Sequence, residues 1–241
     1  MSRKGHPGAR SLALGMILLG LAPLLRAEDA PEPADNDTSP LHQALLAYKS
    51  GHYDDARIAI DAAEKATPGD LPTEILKARI LTELGDFTGA EQALRPLLTP
   101  NGPLEVQLAL GDVLLRKRSF DRAAKYYSLA LQAKPNDPDI TLKLIYAKIG
   151  GSDLLNAAKY ASQLQPLDPD HPSYYFAKAA LAQATGKTQE AEDDIQTART
   201  IYGITVTNRH LKTYLEVFAA SGKSPTSDTT PPPLLKNPPP K

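Results

Sequence analysis

The chain has 241 residues, with 27 lysines and arginines against 28 aspartates and glutamates and a formal net charge of −1. That balance excludes the basic excess typical of a nucleic-acid-binding domain, so no nucleic acid is expected as a partner. There are no cysteines, which excludes disulfides, thiolate metal sites and a lipidated cysteine.

The chain opens with Arg3, Lys4 and Arg10 ahead of an apolar run from Ser11 to Leu25, and small residues follow at Ala27 and Ala30. A basic start, an apolar stretch and a small residue after it describe a secretory signal peptide, residues 1–27, cleaved after Ala27 or alternatively after Ala30. The other reading is an uncleaved membrane anchor, but the run falls short of the ~20 residues of a span and contains Pro23. The expected location is the periplasm or the extracellular space, with membrane contact only through this segment if it is retained. Residues 28–39 are acidic, hold alanines and prolines, and lack apolar periodicity, as in a disordered linker. Asn36-Asp37-Thr38 matches the glycosylation sequon, a three-residue pattern that chance supplies easily.

Helical periodicity starts at residue 40. Its clearest stretch is Leu110 to Pro135. Leu110, Gly111 and Leu114 share one helical face, and Phe120, Ala123, Tyr127, Ala130 and Leu131 share a second. The break falls at Lys117-Arg118-Ser119, and Pro135 ends the second helix. One such hairpin cannot stand alone. Ordering about 34 residues costs roughly 50 kcal/mol, which needs ~2,000 Å² of buried apolar surface.

The chain supplies neighbours. Ala56, Ala90, Ala123, Ala157 and Ala191 each open a similar second helix, and they are separated by 34, 33, 34 and 34 residues. Twelve residues before them stand Ala44, Ala78, Gly111, Ile145 and Ala179, where small side chains let two backbones approach closely. Three residues before them stand the wedges Tyr53, Phe87, Phe120, Leu154 and Thr188. Gly51, Gly85 and Gly186 mark the exits of first helices, where a left-handed backbone is expected, and Pro68, Pro135 and Pro169 end second helices. Residues 138–171 depart from the pattern at Ile145, Ser152 and Leu154, which predicts looser packing. The second unit ends in Thr99-Pro100-Asn101-Gly102-Pro103 and runs one residue short, which predicts a local twist.

On these residues, from Asp37 to Gly203, the chain resembles the tetratricopeptide repeat (TPR) family. The resemblance implies an all-α fold, a right-handed TPR superhelix (α-solenoid) of about five helix-turn-helix repeats plus a C-terminal capping helix, within residues 40–221. The expected cap is Asn208 to Ala220, with Leu211, Tyr214, Leu215 and Phe218 on one face and Arg209, Lys212 and Glu216 opposite. Residues 222–241 form a Pro-rich tail, read as disordered: a spacer or a docking peptide.

No catalytic chemistry stands out. His6, His42, His52, His171 and His210 show no metal-ligand spacing, and His52 and His171 read as solvated turn residues. Asp54-Asp55 and Asp193-Asp194 fall in or near the first turns of second helices, where carboxylates favour the positive helix end. No phosphate loop, GxSxG or HExxH is present. Neither enzyme activity, a cofactor nor a metal is expected.

The resemblance implies that first helices line a concave groove that binds protein or peptide. Register places Leu45, Tyr48, Lys49, Arg79, Glu83, Asp112, Leu115, Arg116, Tyr146, Ile149, Phe176 and Gln183 there, while Leu41, Leu108 and Leu142 read equally as packing between units. Some family members grip a C-terminal carboxylate with Lys and Asn on these helices. Here Leu41, Leu45, Leu76, Glu105 and Ala109 occupy those places. The expectation is a non-enzymatic scaffold for envelope assembly or tethering. Two alternatives stand beside it. One is a self-associating array whose groove holds a neighbouring copy or the Pro-rich tail; the other is an accessory subunit of an envelope polysaccharide or cell-wall enzyme.

Overall fold

The structure, a computed structural model, describes residues 38–99, 102–166, 168 and 171–219. The signal peptide, the linker up to residue 37 and the Pro-rich tail lie outside the described residues. Five hairpins follow one another: α1 (Pro40–Lys49) with α2 (Tyr53–Ala66), α3 (Leu71–Glu83) with α4 (Phe87–Leu94), α5 (Leu104–Arg116) with α6 (Phe120–Ala133), α7 (Pro138–Gly150) with α8 (Leu154–Ala161), and α9 (Ser173–Ala184) with α10 (Thr188–Ala219). They stack into a right-handed solenoid, and no strand occurs among the described residues.

Local chemistry sets the boundaries. Side-chain oxygens of Ser39, Asp70, Asp86, Asp137 and Asp153 accept hydrogen bonds from the backbone N–H three residues on, capping α1, α3, α4, α7 and α8. Such a cap contributes about 1 kcal/mol. Each first helix closes with the same bond, donated by the N–H of His52, Asp86, Ser119, Asp153 or Lys187 to the carbonyl five residues earlier, at 2.8–2.9 Å. This closure requires a left-handed residue just before the donor. Gly51, Gly85 and Gly186 supply it at φ 78°, 81° and 80°, while Arg118 and Ser152 are forced into it at 63° and 64°. Pro96 curtails α4, which gives way to a short 3₁₀ turn at Arg95–Leu97.

The recurring alanines occupy equivalent buried places, with Ala56, Ala90, Ala123 and Ala157 at 0% exposure and Ala191 at 1%. Ala44, Ala78, Ile145 and Ala179 are likewise fully enclosed. At Gly111, an added Cβ would sit 2.5 Å from the ring of Tyr127, so glycine there makes room for the largest residue at that level. Sixteen residues separate these two. The same spacing joins Ala44 to Ile60 and Ala78 to Leu94, and in the fourth repeat the sizes are exchanged, Ile145 with Ala161. Ile145 is completely buried, and the looser packing expected of that repeat is not seen at this position. A polar clamp joins the second and third repeats, where Glu91 receives Lys117 at 2.7 Å and Arg122 at 2.9 Å.

The last helix departs from expectation. α10 is interrupted at Gly203, whose φ of 78° and ψ of 165° are not helical. Residues 188–202 complete the fifth hairpin, with Ala191 and Ala198 buried. Residues 204–219 form an arm that runs back across the first helices. Tyr214, Val217 and Phe218 are buried and Leu211 is half-buried, but Leu215, expected on that face, is 46% exposed. The arm covers more than the terminal repeat, which a simple cap would not.

Two substitutions test this packing by thermal denaturation. Gly111→Ala should destabilise by about 1–2 kcal/mol, because overpacking against the enclosed Tyr127 ring outweighs the gain in helix propensity. Ser152→Gly should stabilise by about 0.5–1 kcal/mol by relieving a left-handed backbone at an exposed position.

Candidate functional site

First helices present their inner faces to one cleft. Tyr48 of α1, Arg79, Thr82 and Glu83 of α3, Asp112, Leu115 and Arg116 of α5, and Leu142, Lys143 and Tyr146 of α7 line it, and the arm walls the far side through Asn208, Arg209, His210, Lys212, Thr213 and Glu216. The cleft encloses about 820 Å³. Of the twelve residues placed there by register, Tyr48, Arg79, Glu83, Asp112, Leu115, Arg116 and Tyr146 line it.

The other five do not line it. Lys49 is exposed at the end of α1, and Leu45 packs on the first-repeat core. Ile149 and Gln183 are buried. Phe176 is wholly enclosed beneath the arm, with its ring 5.5 Å from His210 and 6.4 Å from Tyr214. Tyr146 also lies under the arm, 6.5 Å from the Tyr214 ring, and is only 1% exposed. Both aromatics sit where register put them, but a segment of the same chain covers them.

Charge pairing holds the arm across the cleft. Glu83 accepts from Arg116 at 2.9 Å and from Lys212 at 2.8 Å, and Arg116 also reaches Glu216 at 3.5 Å. Lys212 and Glu216 are therefore paired toward the groove, Lys212 while remaining exposed to solvent and Glu216 half-buried. Burial alone would raise the Glu83 carboxyl, but the hydrogen bonds from Lys212 and Arg116 override it and hold the group below its usual value. Glu216 moves the other way, raised chiefly by burial. Asp112 is fixed between the Tyr127 hydroxyl at 2.8 Å and the Lys143 ammonium at 2.8 Å, so it is a positioned acceptor rather than a loose charge. The Tyr146 hydroxyl is buried without a hydrogen-bond partner among the described residues.

A second cluster escaped the linear pattern. Asp139, at the start of α7, brings Oδ1 within 3.4 Å of His171 Nδ1 and 3.8 Å of His210 Nδ1. His171 was expected to be a solvated turn residue, yet its Nδ1 is buried. Burial lowers the pKa of His210, with Asp139 opposing and His171, Arg209 and Lys143 adding to the effect. No ligand spacing in the sequence signals this cluster, because the fold at Gly203 creates it.

Comparisons with known proteins place this geometry in context. Residues 75–138 match a family model described as tetratricopeptide repeat. The crystal structure of a thermophilic TPR protein from Thermus thermophilus superposes with a TM-score of 0.58 at 22% identity, covering 73% of this chain and 97% of that one. Cellulose synthase 2 operon protein C of Komagataeibacter xylinus is 27% identical over 216 residues, 80% of this chain and 16% of the relative. Human protein O-mannosyl-transferase TMTC1 is 26% identical over 155 residues, 62% of this chain and 17% of the relative. The chain thus spans less than a fifth of the length of either sequence relative.

The Glu83 pairing has a defined pH signature. Because its folded pKa is depressed, its contribution is fully present above the unfolded glutamate value of about 4.3 and is lost as pH falls through the folded value. Denaturation of wild type and Glu83→Gln should differ fully above pH ~4.3 and converge progressively as pH falls from there through the lower folded value. A difference independent of pH would show that the ion pairs do not hold the arm.

Proposed function

From the premise that this chain is a tetratricopeptide repeat protein, we propose that it is an exported, non-enzymatic adaptor whose concave groove holds a protein or peptide partner, serving assembly or tethering in a cell envelope. The observation that carries this reading is the groove itself, which already accommodates an amphipathic helix of its own chain. The arm buries Tyr214, Val217 and Phe218 and pairs Lys212 and Glu216 with charges on α3 and α5. A partner suited to the rest of the cleft shares that character: an amphipathic segment whose acidic group meets Arg79 and whose apolar side chains meet Tyr48 and Leu108. Export is supported by the basic and apolar pattern of the first 27 residues.

One comparison favours a second reading. The likeness to the cellulose synthase operon protein runs over 80% of this chain, which supports an accessory role beside an envelope polysaccharide enzyme. In either role the same groove makes the contact. The self-association alternative takes a modified form, since the arm is the segment seen on the groove and the Pro-rich tail lies outside the described residues.

Affinity purification of the full chain from its own envelope fraction tests the reading. A partner recovered with wild type should be lost or reduced more than about tenfold with Tyr48→Ala combined with Arg79→Glu, since aromatics and arginine dominate such contacts. Arg79 is exposed and Tyr48 only half-buried, so helicity should be unchanged. Equal recovery with the two proteins would place the partner on another surface.

A further inference from the structure

We propose that Asp139, His171 and His210 form a binding site for a zinc-type divalent cation that fastens the arm to the array. The site joins three separate segments: the first turn of α7, the link ahead of α9, and the arm. One donor atom from each residue lies within 4.8 Å of the other two. Bonds of about 2.0–2.1 Å in a tetrahedron set ligand atoms about 3.3–3.4 Å apart. The separations of 3.4 Å and 3.8 Å from Asp139 Oδ1 to the two imidazole nitrogens already approach that geometry.

Two further observations point to a ligand. His171 Nδ1 is buried and makes no hydrogen bond of good geometry, its contact with Asp139 Oδ1 at 3.4 Å being longer than a well-made Asp–His hydrogen bond. The ring of His210 is packed against Phe176, so its orientation toward Asp139 is set by the core. Two imidazoles and a carboxylate suit zinc, whereas calcium and magnesium take oxygen ligands. Lys143, whose charge opposes a cation, is drawn to Asp112 at 2.8 Å. Three protein ligands leave a fourth position for water. The site stands apart from the partner reading, and its test uses no partner.

The test is calorimetric titration of zinc chloride into the chelator-treated full chain. One cation per chain should bind, with affinity falling at least about tenfold in Asp139→Asn and in His171→Gln. Zinc should also slow amide exchange across residues 204–219 in wild type but not in either variant. His171→Gln changes a link residue outside any helix, so the result stays readable even where His210→Ala releases the arm. No uptake by the folded wild-type protein, or uptake unchanged in both variants, overturns the assignment.

Discussion

The array depends on how closely two α-helices approach when the side chain between them is no larger than a methyl group. Ala56, Ala90, Ala123, Ala157 and Ala191 define that approach five times, each essentially inaccessible to solvent. Close approach enlarges dispersion contact along both helices and fixes their register. It also constrains what lies one turn away. Gly111 yields its volume to Tyr127, and the fourth repeat reverses the arrangement with Ile145 and Ala161. Repeats can thus differ in sequence while keeping similar volume at each level, which cores tolerate well.

Stacking leaves one face of every first helix without a neighbour from the next repeat. In this chain much of that face is covered from within. The break at Gly203 turns the final helix back over α7 and α9, where Tyr146, Phe176 and Tyr214 form an aromatic cluster. Ionic contacts reach further, to α3 and α5. The side of the cleft lined by Tyr48, Arg79 and Asp112 remains accessible beyond the arm. The groove is therefore part core and part binding surface, and the arm sets the boundary between them.

The repeat register was legible because its signals are local: a small residue, a turn glycine and a proline recur at nearly fixed intervals. Ser152, read from the sequence only as a departure that loosens its repeat, adopts the same left-handed turn as Gly51 and Gly85. The groove positions followed from the same register, which brings seven of the twelve chosen residues around the cleft. What escaped reading was long-range. The amphipathic pattern of residues 208–220 is equally consistent with a cap and with a groove-filling helix, and nothing nearby favours one placement. A helix that packs against α7 and α9 together buries Val217 as well as Tyr214, which a one-faced cap does not require. His171 and His210 are far apart in sequence, and only the reversal at Gly203 brings them together.

Lys212 reaches Glu83 across 129 positions of sequence. In an open solenoid each unit feels only its immediate neighbours, and such a chain melts from its ends in steps, like a zipper. Here the far end is latched to the second unit, turning a ladder into a hoop. The units from the second to the fifth are thus joined by a contact between non-neighbours as well as by their stacking, so the opening of one bears on the others, while the first unit stays outside the ring.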